Sequence, residues 1–240
     1  MKRYKWLLGC CLFLSIGMLW AADEPDLRML QQKAAQSRDM EGYVGVCKYL
    51  CQTEENPELL LLYADSIHQL ATKSKKPEQL VEYYIWASEG NFIKGDFQQG
   101  YALKRKAIAL AEKAGLKFAI SQSCCDMGYY CNVDARYDSA RYYFRKGLEA
   151  GEDLSEAGEA CRTMLTNYAS SFLFEGKTDS ALVYTIRASE RSAADKDTAM
   201  LIENLNQLGT IYRRKKDLEN CIANFEQALH LCELRGNHNA

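Results

Sequence analysis

Between Ser121 and Leu148 the chain is apolar and small-residue-rich as far as Cys131. It turns polar over Asn132 to Arg136 and resumes a helical apolar stripe from Asp138. Apolar residues three and four apart, with no run of period two, predict two helices joined by a short turn. Small residues stand where such helices would cross: Gly128 in the first, Ala140 and Gly147 in the second. The arrangement returns at a fixed interval. The first-helix small residue recurs as Ser88, Gly128, Ala169 and Gly209, at spacings of 40, 41 and 40. Gly100, Ala140, Ala181 and Cys221 keep those spacings, and so do Ala107, Gly147, Ala188 and Ala228. Three registers sharing one slip predict a repeated helical hairpin. The turns echo one another, Tyr137-Asp138-Ser139-Ala140 against Thr178-Asp179-Ser180-Ala181. Each offers Asp or Ser to accept from free N–H groups at the start of the second helix.

Within each unit the small positions fall 12 and then 7 residues apart. Leu165 and Leu205 fill a first large position, Met127, Tyr168 and Leu208 the next, and Phe172 and Tyr212 the one before the turn. Phe144 and Phe225 fill an aromatic slot in the second helix. On these residues, from about Val81 to Gly236, the chain resembles the tetratricopeptide repeat (TPR). The resemblance implies an all-α fold, a right-handed α-solenoid of antiparallel helix hairpins. Three residues depart from the pattern: Asn91, Lys104 and Thr185 stand where a large side chain is expected. The proline that usually ends a unit is missing. The unit is also longer than the usual ~34 residues. The surplus lies between one second helix and the next first helix, and at ~3.6 residues per turn it predicts about one added turn per helix.

Four segments are expected. Residues 1–21 carry Lys2, Arg3 and Lys5 ahead of an apolar run from Trp6 to Trp20, with Ala21 offering a small residue for cleavage. That is the layout of a secretory signal peptide, its apolar run short of the ~20 residues that span a bilayer. Export to the periplasm is the expectation, and an uncleaved anchor tethering the chain to the membrane is the alternative. Residues 22–76 stay helical out of register, with helices expected over Asp26 to Ser37, Met40 to Gln52 and Pro57 to Ser74. They read as a degenerate repeat and cap. Residues 77–236 hold four TPR-like pairs, and 237–240 form a tail. In the last helix Ile222, Phe225, Leu229 and Cys232 can face inward, but the side meant for a next repeat would be open, which predicts self-association through that end, cover by a partner, or a longer parent chain.

Charge and candidate chemistry narrow the function. The formal net charge is −2 and becomes −5 without Lys2, Arg3 and Lys5, which disfavours nucleic acid as a partner. The run Arg213-Arg214-Lys215-Lys216 is better read as cations at a helix C-terminus. Cys47 and Cys51 share a helix face at metal-ligand spacing, but no further CxxC or neighbouring histidine completes a site. The cysteines read as packing residues. Gly176-Lys177-Thr178 lacks the glycine and strand of a phosphate loop, since position 171 is serine. No motif pairs a nucleophile with a base. The chain is therefore expected to be no enzyme and to need no metal or cofactor.

What remains is a surface for a protein or peptide. In the TPR fold the second, fifth, ninth, twelfth and thirteenth positions of each first helix line the concave wall. By resemblance this selects Gln122, Tyr129 and Asn132; Thr163, Thr166 and Ser170; and Glu203, Asn206, Thr210 and Arg213. The strip is polar. The Lys and Asn with which some relatives clamp a peptide carboxylate are replaced by Cys125 and Tyr129, Thr166 and Ser170, and Asn206 and Thr210. The expected function is a protein-interaction scaffold binding a peptide or partner in this groove, with Tyr129 as the preferred anchor. The alternative is the sensor portion of a bacterial envelope signalling protein, which the chain also resembles.

Overall fold

The computed structural model describes residues 26–54 and 56–238, so the expected signal segment lies outside the described residues. Helices follow one another as α1 (Leu27–Ser37), α2 (Met40–Thr53), α3 (Pro57–Ser74), α4 (Pro77–Lys94), α5 (Phe97–Ala114) and α6 (Lys117–Val133). They continue as α7 (Tyr137–Gly151), α8 (Gly158–Phe174), α9 (Thr178–Ala194), α10 (Thr198–Arg214) and α11 (Leu218–His238), with a 3-10 turn at Ser155–Ala157. The described residues contain no strand, and each helix packs mainly on its neighbours in sequence. The fold is an α-solenoid of helix hairpins. Among the described residues no helix is long and apolar enough to cross a membrane.

The chain divides within α6 into two compact units, at Ser123 and Cys124. In the first, Ala34, Val46, Leu50 and Leu60 form one buried cluster, and Val81, Ile85, Ala107 and Ala111 another. Lys104, expected to be a large apolar residue, is fully buried on α5 and donates to Glu89 of α4. In the second unit the small residues do what their spacing implies. Gly128 is covered by the ring of Phe144, and any Cβ at Gly128 would collide with it. Gly209 meets Phe225 in the same way, at 2.8 Å from an added Cβ. Close approach of first and second helix therefore rests on a glycine facing an aromatic ring.

The turns inside the hairpins add a fourth register. Gly95, Ala135, Gly176 and Lys216 all have positive φ, at 91°, 57°, 84° and 61°. Each is followed by a residue whose N–H returns to the carbonyl five positions back: Asp96 to Asn91, Arg136 to Cys131, Lys177 to Phe172 and Asp217 to Tyr212. These are left-handed helix terminations of one design. The residue after each is the cap of the second helix. Asp96 and Asp217 accept from Gln99 N and Asn220 N. Arg136 and Lys177 make no side-chain cap, so that expectation fails in the middle two hairpins. There Asp138 and Asp179 sit inside the first turn, where they favour the positive end of the dipole and bond Arg141 and Lys215 instead. The one-residue slip in the period also has a location. It lies between Gly147 and Ala169, where the 3-10 turn replaces the left-handed turn formed by Gly115 and Lys196 between the flanking hairpins.

A left-handed residue with a Cβ is strained where glycine is not. Ala135→Gly should raise stability to chemical denaturation by about 1 kcal/mol, and Gly176→Ala should lower it by a similar amount. A loss of stability in Ala135→Gly would contradict the assignment of this turn.

Candidate binding surface

Successive first helices α8 and α10 are joined by side chains along their length. Arg162 donates through Nε to Asp197 at 2.8 Å and through Nη1 to Asp195 at 3.2 Å. One turn on, Thr166 donates to Asn204 Oδ1 at 2.9 Å. The next rung is Gln207 Nε2 donating to Ser170 Oγ at 2.6 Å, and the last is Arg214 Nη1 donating to the Leu173 carbonyl at 2.8 Å. Residues 162, 166, 170 and 173 recur at helical spacing, so they form one stripe of α8 facing α10. The ladder also engages the intervening helix α9. Asn204 Nδ2 donates to Ser192 Oγ at 3.1 Å, and the Thr185 hydroxyl lies 3.1 Å from Gln207 Oε1 and 2.8 Å from the Ala181 carbonyl. A similar link joins α6 to α8, where Asn132 Nδ2 donates to the Asn167 carbonyl at 3.1 Å.

This divides the groove residues into two kinds. Asn132, Thr166 and Ser170 are buried, and their bonds hold helices together. Asn132 Oδ1 has no partner among the described residues, but it is enclosed and not offered to a ligand. The remaining residues face outward to differing degrees: Tyr129, Thr163, Glu203 and Thr210 are half-buried, and Asn206 and Arg213 exposed. Thr210 returns its hydroxyl to the Asn206 carbonyl at 3.0 Å. Gln122 is exposed on the part of α6 that belongs to the first unit. The residues that reasoning from position alone missed are Arg162, Asn204 and Gln207. Their signal was present as polar residues at interior register positions on α8 and α10.

The electrostatics follow from the same contacts. The Arg191 hydrogen bond, with Arg162, holds the Asp195 carboxyl below its ordinary value. Burial, and then the charge of Asp197, push the Glu203 carboxyl up to about 7. A shallow open cleft of about 420 Å³ lies beside this cluster, lined by Glu152, Asp153, Ser155, Arg162, Arg191 and Asp195 among others. Its arginines are already bonded to its carboxylates. At the opposite end of α8, Arg141 lies over the Phe172 ring, 4.6 Å from its centroid, with Nη1 2.7 Å from Glu175 Oε2.

Cysteine and metal chemistry find no assembled site among the described residues. No three metal-ligating side chains cluster among the described residues. Burial pushes the Cys47 thiol up to about 12, which opposes the thiolate that a metal would need.

No protein-family model matches the chain, and no curated protein is significantly similar to it. Solved structures are similar in fold. BtubC (BKLC) from P. vanneervenii superposes with a TM-score of 0.70 over 95% of this chain and 92% of its own, at 13% identity. A Podosopora anserina putative kinesin light chain with nearly identical TPR-like repeats reaches 0.64 over 83% of this chain and 97% of its own, at 10% identity.

Two measurements probe the surface. Asn204→Ala leaves the Thr166 and Ser192 hydroxyls buried without their partner and should cost about 1–3 kcal/mol in urea denaturation. In a double-mutant cycle, Thr166→Val and Asn204→Ala should be non-additive, while additive losses would deny the rung. Glu203 supplies the second. Because the folded state holds its proton to about 7 and the unfolded state to 4.5, stability from this group falls as pH rises through that window and stays low above it. Glu203→Gln should therefore gain on the order of 1 kcal/mol over the parent at pH 8, and little at pH 4. Parallel pH profiles of melting temperature would contradict the assignment.

By its described residues and its structural neighbours, this chain folds as a TPR-like helical repeat array.

Proposed function

We propose that the chain is a non-enzymatic interaction module that holds a peptide or a helix of a partner protein along its first helices, in the envelope compartment to which residues 1–21 direct it. The observation that carries this reading is the division of labour along α8 and α10. The buried half of the polar strip joins the helices, and Asn206 and Arg213 of the same strip stand exposed to solvent.

Asn206 and Arg213 are exposed on α10, eight residues and one residue before its end at Arg214, and Thr163 on α8 and Glu203 on α10 are half-buried. An amide, a guanidinium, a hydroxyl and a carboxyl suit an extended backbone, whose N–H and C=O groups need partners. Tyr129 on α6 adds contact area at little entropic cost, and its ring already rests edge-on against Tyr130 at 5.3 Å between centroids. Helical repeat arrays use extended surfaces of this kind for binding, which supports the reading at the level of fold.

The test is capture from an envelope extract by the mature chain, with bound proteins identified by mass spectrometry. Tyr129→Ala with Asn206→Ala should remove a partner that the parent retains, by at least about tenfold in recovery, since anchors of this kind each contribute ~1 kcal/mol or more. Its helical content and melting should match the parent. Unchanged capture would place the binding surface elsewhere.

A further inference from the structure

The last helix carries a second surface, separate from the groove. Leu218, Ile222, Phe225, Leu229 and Cys232 follow at spacings of four, three, four and three, so they form one stripe about 21 Å long. Leu218, Ile222 and Leu229 are 65%, 55% and 60% exposed, while Phe225 leans onto Gly209. One border of the stripe is set by Cys221 and Ala228, which are buried on the side of α10. Along the other stand Glu219, Glu226 and Glu233, seven residues apart and exposed.

The repeat itself supplies a template for what lies on such a face. Forty residues earlier, the same positions on α9 are Thr178, Leu182, Thr185, Ser189 and Ser192, and α10 covers them. Leu182 packs in the clusters of Ile211, Leu205 and Leu208, Thr185 meets Gln207, and Ser192 meets Asn204. Asp179, the counterpart of Glu219, accepts a hydrogen bond from Lys215 just past the end of that covering helix. On α7 the counterparts Tyr137 and Arg141 are met by Phe174, and by Phe172 and Glu175, of α8 and its turn. The one acid that α9 carries in the glutamate register, Asp179, is thus met by a cation, Lys215.

We infer that the outer stripe of α11 docks an amphipathic helix of another protein. Its apolar seam seats between the α10 side and the glutamates, and its flank presents lysine or arginine at seven-residue intervals to Glu219, Glu226 and Glu233. A second copy of this chain fits less well. Antiparallel pairing of α11 with itself sets one glutamate row against the other, and like charges so placed repel.

The test uses two synthetic helices of about four turns with one common Leu/Ile seam, flanked by lysine in one and by glutamate in the other. Each is titrated against the full chain by fluorescence anisotropy. The lysine helix should bind, weaken by about tenfold in the E219Q/E226Q/E233Q variant, and be lost in I222D/L229D, whose circular dichroism and melting stay as in the parent. The groove variant Tyr129→Ala with Asn206→Ala should bind the lysine helix as the parent does, which separates this surface from the groove. Equal binding of both helices, binding that survives I222D/L229D, or no binding of the lysine helix would overturn the inference. So would a concentration-dependent dimer in sedimentation that I222D/L229D dissolves, since that would assign the face to a second copy.

Discussion

The structure of the second unit depends on a ladder of polar side chains between helices that are not adjacent in sequence. Helical hairpins close on themselves by apolar contact, but successive first helices must also be held in register with one another. Arg162 with Asp197, Thr166 with Asn204, Gln207 with Ser170, and Arg214 with the Leu173 carbonyl do this over the length of α8. Apolar packing tolerates sliding by a turn. The buried Thr166–Asn204 rung does not, because a slip would leave its donor and acceptor unpaired at about 1–3 kcal/mol apiece, and the part-buried rungs beside it add to that resistance.

Hydrogen bonds likewise meet the residues that break the repeat pattern. Thr185 stands where a large side chain is expected, and it meets Gln207 and the Ala181 carbonyl instead. Lys104 is answered by Glu89, and Asn91 donates to the Ala87 carbonyl at 2.7 Å. Each departure from an apolar position is therefore matched by a hydrogen bond. Such exchanges trade stability for a single arrangement, since a buried polar group is tolerated only with its partner present.

Much of the fold was legible as spacing. The registers through Gly128, Ala140 and Gly147 located the helix crossings because close approach admits only small residues there, and the aromatic rings of Phe144 and Phe225 lie on Gly128 and Gly209. The cap positions were less legible. Asp138 and Asp179 look like caps by neighbourhood, but the left-handed residue falls at Ala135 and Gly176, which makes Arg136 and Lys177 the caps. The binding strip was legible only as a set of positions. Sequence position places Thr166 and Ser170 on the same wall as Asn206. Which of them are spent on Asn204 and Gln207 depends on the distance between α8 and α10, and no pattern within one helix records that distance.

Through the ladder α8, α9 and α10 form one cooperative body. Native-state hydrogen exchange tests it most directly, by comparing the parent with a chain lacking the two middle rungs, Thr166→Val with Gln207→Leu. The parent should show the interior amides of α8 and α10 opening together with a common free energy. In the altered chain, protection of α8 should fall although its own apolar contacts are intact. Equal protection of α8 in both chains would show that hairpin packing alone sets the register, and would contradict the account.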